Sequence, residues 1–396
     1  MERLAIEGGV PVRSAMLPYG QHCIDEGDIA AVVEVLRNKP ITQGPAIVQF
    51  EREVAQYVGA RYAVAFCNGT AALHGACFAA GIKEGDEVIT SPITFVASSN
   101  CVLYQGGKPV FADIHPHTYN IDPDRIIERI TPRTKAIIPV DFTGQPAEMD
   151  RIIEIAREHR LVVIQDAAHS LGASYSAQSV GTLADMTMFS FHPVKHITTG
   201  EGGVIVTDRL DYYEMLLLFR SHGITKDPAN LEENHGSWYY EMRELGYNYR
   251  MTDIQATLGS SQLKKLTRFV NRRREIAAAY SEAFQSLQGI IVPYQNENTN
   301  SSWHLYMIRL DLSRFQVDRK EIYNALIAEN IGVHVHYIPV YLQPYYQRLG
   351  YAKGLCPEAE RYYLEAITLP LFPTMTDRDV QDVIRAVVKV TNRYKI

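Results

Sequence analysis

Short apolar segments alternate with segments of helical periodicity between Tyr62 and Asp166. Short apolar strands that alternate with helices are typical of a mostly parallel sheet covered on both faces. This alternation predicts an α/β fold for the first part of the chain. The predicted strands are YAVAF, EVIT, PVFADI, KAIIPV and LVVIQD.

A second region begins where this alternation ends. A helical pattern starts near Thr252 and runs through QLKKLTRFVNRRREIAAAYSEAF, which suggests a connector between two domains. Beyond Gly289, the patterns predict a strand at WHLYMIRLD, a helix at DRKEIYNALIAEN, a strand at VHVHYI and two closing helices. We therefore expect a large α/β domain over residues 1–255, and the connector with a smaller α+β domain over residues 256–396.

The composition is that of an ordinary globular chain, because 396 residues with 46% hydrophobic content provide ample material for a core. A net charge of -6 without a long basic run argues against nucleic acid as the main partner. Since MERLAIEGGVPVR lacks an apolar signal core and no stretch is long enough to span a membrane, we expect a cytoplasmic protein. The five cysteines form no CxxC pair, so we expect neither a disulfide framework nor a metal site.

Ligands of open parallel sheets bind at the carboxyl ends of the strands, and a candidate phosphate site lies there. Asn68, Gly69 and Thr70 stand between the strand YAVAF and a helix. Glycine permits a tight turn, and the free N–H groups of the first helical turn suit a phosphate. The alternative is a plain turn with Thr70 as the helix cap. The hydroxyl of Ser190, at the end of another apolar run, is placed to bind the same phosphate.

Asp166 follows the apolar strand LVVIQ directly, three residues before His169. A buried carboxylate needs a partner, because an unpaired buried charge is costly. That partner is either a helix end or salt bridge, or the protonated ring nitrogen of a cofactor. His169 is correspondingly either a satisfied polar residue or a contact to the ring or its oxygen.

Lys195 lies in a polar turn between the strand that ends at Ser190 and the strand Val204 to Thr207. It is either a surface lysine or an amine held in place to form a Schiff base. Phe95, in SPITFVAS, is either a core aromatic or the cover of a flat cofactor. A phosphate cup, an aspartate for a ring nitrogen, an aromatic cover and a lysine together predict pyridoxal 5'-phosphate (PLP).

These motifs resemble the sugar aminotransferases of the DegT/DnrJ/EryC1/StrS family, which have the PLP-dependent aspartate aminotransferase fold (fold type I). The resemblance implies that Lys195 carries the cofactor and that Asp166 keeps its ring protonated. Gly69, Thr70, Ala71 and Ser190 would surround the phosphate, Phe95 the ring face and His169 the ring oxygen. Asn248 would reach the phosphate of the other subunit in a homodimer with shared active sites. The motifs are NGTAALHGA, VITSPITFVAS, PVFADI, VIQDAAHSLGA, FSFHPVKHITTGEGG, FRSHG and GYNYRMTDIQATLG.

Two segments, FHPVK and HVHYIPVYLQPYY, are similar to family members of the pseudaminic acid pathway. This similarity implies transfer of an amino group from L-glutamate to the 4-keto carbon of a UDP-4-keto-6-deoxy-N-acetylhexosamine. The residues expected to contact the sugar nucleotide are Tyr19, Thr42, Asn68, Arg250, His336 and Tyr337.

Other functions remain as alternatives. The chain is either this enzyme or another nucleotide-sugar 3- or 4-aminotransferase acting on a dTDP or GDP sugar. Family members with histidine in place of the lysine are sugar dehydratases, and the presence of Lys195 favours transamination over that reaction. The complete set of Lys195, Asp166 and Ser190 argues against a regulatory or coat protein without activity. His196 stands where we expect proline after the lysine.

Overall fold

The computed structural model describes residues 2–396. The α-helices are α1 (Glu26–Asn38), α2 (Pro45–Val58), α3 (Gly69–Ala79), α4 (Ala97–Tyr104), α5 (Pro123–Ile127), α6 (Met149–His159), α7 (Leu210–Arg220), α8 (Asp253–Leu263), α9 (Leu266–Phe284), α10 (Arg319–Ala328), α11 (Pro344–Arg348), α12 (Pro357–Glu365) and α13 (Asp377–Tyr394). The strands are β1 (Tyr62–Phe66), β2 (Glu87–Thr90), β3 (Lys108–Phe111), β4 (Thr134–Ile138), β5 (Val162–Asp166), β6 (Ser174–Tyr175), β7 (Gln178–Ser179), β8 (Met186–Ser190), β9 (Gly203–Thr207), β10 (Ile224–Thr225), β11 (Glu241–Met242), β12 (Ile290–Ile291), β13 (Thr299–Asn300), β14 (Tyr306–Leu310) and β15 (Ala366–Leu369).

The large sheet has the strand order β1-β9-β8-β5-β4-β2-β3. Neighbours from β8 to β3 are parallel, and β9 is antiparallel to both β1 and β8. Apolar side chains fill both faces of this sheet, as in α/β folds with helices on either side. The prediction of a mostly parallel α/β sheet is confirmed.

The register of the sheet brings the predicted site residues to one edge. Asp166 at the end of β5 pairs with Met188 of β8, and Ser190 at the end of β8 pairs with Gly203 of β9. Phe66, the last residue of β1, pairs with the same glycine. A side chain at Gly203 would meet the backbone of Asn68 and Gly69 at 2.7 Å, so glycine lets the turn after β1 lie against β9.

A smaller sheet with the order β12-β14-β15 forms a second core with α10 and α13. The amino-terminal segment, expected from sequence to belong to the large domain, packs in this core through Leu4 and Leu17. The segment VHVHYI is not a strand, and this prediction is wrong. It makes one isolated bridge, between His334 and Thr368.

The predicted connector is two helices, because α8 ends at Leu263 and α9 begins at Leu266. Phe269 on the first half of α9 belongs to a core beneath the large sheet, and Tyr280 on the second half belongs to the small core. Helix α9 therefore joins the two cores through its own apolar side chains. No helix within residues 2–396 has both the length and the apolar character needed to cross a membrane.

Arg273 lies in the middle of α9 and is 1% exposed. One terminal nitrogen of its guanidinium donates to the carbonyl oxygens of Leu371 at 2.8 Å, His304 at 3.1 Å and Trp303 at 3.4 Å. Burial lowers the pKa of Arg273 to about 10, a value at which the side chain is still charged at neutral pH. This buried cation therefore ties the segments before β14 and after β15 to α9.

Candidate active site

A cavity of about 790 Å³ lies at the carboxyl ends of β5 and β8. It brings together most of the residues predicted from sequence to bind cofactor or substrate. Thr42 and Asn248, which are exposed, and Arg250, which is half-buried, are not among its lining residues within the described chain. The predicted residues that line the cavity are Tyr19, Asn68, Gly69, Thr70, Ala71, Phe95, Asp166, His169, Ser190, Lys195, His336 and Tyr337.

One end of the cavity is the amino terminus of α3. The cap of this helix is Asn68, whose side chain accepts a hydrogen bond from the Ala71 N–H at 2.8 Å. The alternative of a Thr70 cap is therefore wrong. The first N–H groups of a helix have no partner within the helix, and Gly69 and Thr70 present theirs at the cavity. Together with the Ser190 hydroxyl, they form a donor set suited to a phosphate.

Glycine at position 69 keeps this end of the cavity open. A side chain there would meet the Ser190 Cβ at 3.3 Å and the Met188 sulfur at 3.4 Å. Such contacts would displace Ser190, whose hydroxyl belongs to the proposed phosphate site. The turn therefore provides both space and donors, which is the arrangement expected for a bound phosphate.

Asp166 lies deep in the cavity and is 4% exposed. Ser98 on α4 donates its hydroxyl hydrogen to Asp166 Oδ2 at 2.6 Å, and the Ala168 N–H donates to Oδ1 at 3.1 Å. Burial raises the pKa of Asp166, against the lowering effects of these hydrogen bonds and of the Lys195 charge. Sequence reasoning missed Ser98, since only the fold brings α4 beside β5.

Lys195 lines the cavity instead of lying on the outer surface. Burial lowers its pKa to about 8, with a further lowering by the Arg273 charge and an opposing effect of Asp166. A larger fraction of the amine is therefore uncharged at neutral pH than in an exposed lysine. An uncharged amine has the lone pair needed to attack an aldehyde carbon.

Neutral histidines surround this lysine. His169 and His304 pack with their ring centroids 4.3 Å apart, and His196 Nε2 lies 3.1 Å from the Ser302 carbonyl oxygen. Burial holds the pKa of all three rings well below its ordinary value. His169 Nε2 lies 3.4 Å from the Tyr337 hydroxyl, and its Nδ1 has no hydrogen-bond partner within residues 2–396. His169 is thus not a fully satisfied polar residue, although it lines the cavity.

Aromatic side chains line another part of the cavity, here called its mouth. Phe95 is 60% exposed, so the alternative of a core aromatic is wrong. Tyr19 packs 5.3 Å from the ring of His334 and 5.4 Å from the ring of His336. His336 Nδ1 is in turn 2.9 Å from the Thr368 hydroxyl. The mouth therefore offers flat aromatic surfaces with polar edges, as a nucleotide or sugar requires.

The residues of this cavity fit PLP. Asp166 is a buried carboxylate that forms no salt bridge within the described chain, and a protonated ring nitrogen would supply the missing charge. The glycine turn and Ser190 suit the phosphate, and Lys195 suits the aldehyde. No group of three or more His, Cys, Asp or Glu side chains within residues 2–396 is arranged to hold a metal ion.

Comparison with known proteins gives matches over nearly the whole chain. A model of the DegT/DnrJ/EryC1/StrS aminotransferase family matches residues 22–388. An uncharacterized protein of Methanocaldococcus jannaschii is 45% identical, over 97% of this chain and 100% of its own length. The spore coat polysaccharide biosynthesis protein SpsC of Bacillus subtilis is 44% identical, over 96% and 98%. The UDP-4-amino-4,6-dideoxy-N-acetyl-beta-L-altrosamine transaminase of Campylobacter jejuni is 35% identical, over 96% and 99%.

Solved structures show the same relationship. PseC of Helicobacter pylori, an aminotransferase involved in the biosynthesis of pseudoaminic acid, superimposes with a TM-score of 0.89 at 34% identity, over 96% of this chain and 100% of PseC. The PLP form of Spr1654 from Streptococcus pneumoniae gives a TM-score of 0.89 at 31% identity, over 96% and 99%. The resemblance seen in the sequence motifs is confirmed. The chain belongs to the DegT/DnrJ/EryC1/StrS aminotransferase family and is a PLP-dependent sugar aminotransferase.

Proposed function

We propose that this enzyme transfers the amino group of L-glutamate to the 4-keto carbon of a UDP-4-keto-6-deoxy-N-acetylhexosamine. The product would be a UDP-4-amino sugar for pseudaminic acid or a related surface glycan. The catalytic part rests on one observation, the meeting of Lys195, Asp166, the Gly69 turn and Ser190 in a single cavity. The substrate part rests on similarity to an altrosamine transaminase and to a coat polysaccharide protein.

In this proposal, Lys195 would hold the cofactor by its aldehyde carbon and would also move a proton, and each other residue has one task. When bound, PLP supplies an aldehyde carbon for the amino group and a protonated ring that delocalises negative charge from the reacting carbon. Asp166 would hold a proton on the ring nitrogen by its negative charge, and Gly69, Thr70, Ala71 and Ser190 would hold the phosphate. Lys195 Nζ would accept the proton that leaves the α-carbon of glutamate and later donate a proton to C4 of the sugar. Phe95 and His169 orient the ring and exclude water from it.

Sodium borohydride reduction followed by peptide mass analysis tests the role of Lys195. We expect a pyridoxyl group on the peptide that contains Lys195 and on no other lysine peptide. The matched control is Lys195→Ala, which should leave the reduced protein unlabelled. An unlabelled Lys195 in active native protein would contradict the mechanism.

A panel of sugar nucleotides tests the substrate. We expect amination at C4 of a UDP-4-keto-6-deoxy-N-acetylhexosamine with glutamate as donor, identified from the product by mass and by nuclear magnetic resonance. The identity to SpsC is higher than that to the altrosamine transaminase, so a coat-type sugar is the second candidate. Amination of only 3-keto or only dTDP sugars would overturn the proposed substrate, and elimination of water without amination would indicate a dehydratase.

We also propose a homodimer in which each active site uses both chains. Lys195 is the only lysine or arginine among the described lining residues, although a nucleotide diphosphate carries at least two negative charges. Arg250 and Asn248 lie outside the cavity of their own chain, and the exposed Asn248 is available to a second copy. Thr42, on the turn before α2, is exposed in the same way.

Mixing two inactive variants tests the sharing of sites. Lys195→Ala and Asn248→Asp should each lose activity, and refolding them together should restore about a quarter of it, since half of randomly formed dimers are hybrids with one intact site. Co-refolding each variant with itself is the control. Absence of any recovery in proven hybrid dimers would show that Asn248 does not act on the other chain's site.

A further inference from the structure

The amine of Lys195 has a close neighbour that the proposed mechanism leaves without a role. Its Nζ lies 3.5 Å from Nε2 of His304. His304 comes from the small domain, two residues before β14, whereas Lys195 follows β8 of the large sheet. The contact therefore joins the proposed reactive amine to a residue more than a hundred positions away in the chain.

The environment of His304 favours an uncharged ring. The residue is 4% exposed, and burial together with the charges of Lys195 and Arg273 holds its pKa well below the ordinary value. Its Nδ1 has no hydrogen-bond partner within residues 2–396. A neutral imidazole has one lone pair and one N–H, so its Nε2 can accept a hydrogen bond from an amine.

The backbone of His304 is held independently of its side chain. Its carbonyl oxygen accepts from Arg273 at 3.1 Å, and the next residue, Leu305, donates its N–H to the Thr143 carbonyl oxygen at 3.1 Å. Ser302, on the other side, donates its N–H to the Gly144 carbonyl oxygen at 3.1 Å. A substitution at position 304 therefore leaves these anchors in place and changes the side chain that faces Lys195 and packs against His169 and His196.

We propose that His304 is a positioning residue for Lys195, whose amine donates a hydrogen bond to Nε2 of the neutral ring and is thereby held facing the cavity. This inference rests on the proposed role of Lys195 and adds a residue that the sequence motifs do not indicate. An amine held by a fixed acceptor has fewer orientations to sample before it moves a proton at the substrate carbon.

Two substitutions separate this role from a structural one. His304→Gln places an amide close to the former position of Nε2, whereas His304→Asn places its amide close to the former Nδ1. Both are polar and of similar size, so a purely structural requirement would affect them equally. His304→Phe removes both nitrogens while keeping a flat ring. His117→Asn, at an exposed and remote histidine, serves as the control.

The first measurement uses cofactor-free protein and follows acylation of Lys195 by acetic anhydride against pH, quantified by peptide mass analysis. An acceptor stabilises an ammonium more than an amine, so its loss should lower the pKa of Lys195 by about 0.5 to 1 unit in the Asn and Phe variants. The Gln variant and His117→Asn should titrate like the native protein. The ionisable groups around this amine are Asp166, His169, His192, His196, Arg273, His304 and His336.

The second measurement is the single-turnover rate of amino transfer from glutamate in the loaded enzyme. We expect a loss of roughly 10- to 100-fold in the Asn and Phe variants, and at most about fivefold in the Gln variant, because misplacement of a catalytic group has costs of this size. The proposal requires both measurements to separate Gln from Asn. If His304→Gln and His304→Asn gave the same result in either measurement, the proposal would be overturned. It would also be overturned if His304→Phe behaved like the native protein. Because acylation needs no cofactor, it decides on the contact even if borohydride maps PLP to another lysine.

Discussion

Burial and hydrogen bonding shift the pKa of the Asp166 carboxyl group in opposite directions. Desolvation raises its pKa, while Ser98, the Ala168 N–H and the charge of Lys195 lower it. A cationic ring nitrogen beside the carboxylate would add a further lowering effect. Binding of such a ring would therefore favour the charged form of Asp166.

We expect Asp166→Asn to lower the rate of amino transfer by at least about 100-fold, because an uncharged amide cannot keep a ring nitrogen protonated. The fold should tolerate the change. The amide oxygen can still accept from the Ala168 N–H, and the Ser98 hydroxyl can rotate to accept from the amide nitrogen. The rate is measured by single-turnover kinetics, and the fold by the thermal unfolding midpoint.

The matched variant is Ser98→Ala, which removes one hydrogen bond and keeps the carboxylate charge. It should cost less activity, about tenfold, since the charge remains and the loss of one hydrogen bond to a charged group costs roughly 1.5 kcal/mol at the lower end of its usual range. If Asp166→Asn were no worse than Ser98→Ala, the charge of Asp166 would not be what the reaction uses.

Residues next to strand ends and glycine turns were predictable from sequence, whereas partners from distant segments were not. Asp166, Lys195 and Ser190 each follow an apolar strand, and the rule for open parallel sheets places them at one edge. Ser98 on α4 contacts Asp166, and His304 before β14 contacts Lys195. No spacing in the sequence joins them to Asp166 or Lys195, because their contacts depend on how the helices and the two cores pack.

At the scale of elements, the start of α3 combines helix stability with ligand space. Alanine is favoured over glycine inside a helix by roughly 0.5–1 kcal/mol. At Gly69, however, a methyl group would lie 3.3 Å from the Ser190 Cβ and 3.4 Å from its hydroxyl oxygen. Alanine at position 69 would therefore favour the helix, but its methyl group would hinder cofactor binding.

We therefore expect Gly69→Ala to weaken PLP binding by about tenfold or more, because the methyl group displaces Ser190 and narrows the phosphate site. The cofactor-free protein should lose little thermal stability. Fluorescence titration with PLP and thermal unfolding measure the two quantities separately. Gly27→Ala, in the exposed part of α1, is the control and should leave PLP affinity unchanged. Unchanged affinity in Gly69→Ala would mean that the phosphate binds elsewhere.

Elements with a strong local signal were predicted well. The segment MDRIIEIAREH forms α6 with the expected bounds, since its apolar residues recur at helical spacing. By contrast, VHVHYI has a strand-like alternation but forms one bridge, to Thr368. Its histidines and tyrosine line the cavity with Tyr19, so tertiary contacts override local propensity here.

At the scale of the whole molecule, buried neutral histidines dominate the acid response. Burial lowers the pKa of His74 to about 4 and that of His336 to about 3, from 6.5 when exposed. These histidines lower the free energy of unfolding as the pH falls from about 6.5 towards their pKa values in the folded protein. The reason is that the unfolded chain binds the protons first. Asp141, with a pKa raised to about 6 by burial, acts in the opposite direction. The buried histidines are the larger set, namely His74, His169, His196, His304 and His336.

We expect the free energy of unfolding of the cofactor-free protein to fall between pH 6.5 and pH 4, and His74→Phe to make this fall shallower. One histidine contributes up to about 1.4 kcal/mol per pH unit in this range. His74 packs between the rings of Tyr104, Phe219 and Tyr247. A phenyl ring can occupy the same space. Urea unfolding at a series of pH values measures the effect, with exposed His117→Gln as the control. Parallel curves for native protein and His74→Phe would contradict this explanation.

The attachment of the two cores through Arg273 has a consequence for how the sequence can change. All three acceptors of its guanidinium are main-chain carbonyl groups, at positions 303, 304 and 371. Every amino acid supplies the same carbonyl, so mutations at those positions do not remove the bonds. Only a mutation of Arg273 itself would remove these hydrogen bonds. Drift can therefore alter the side chains at positions 303 and 371 without loosening the junction.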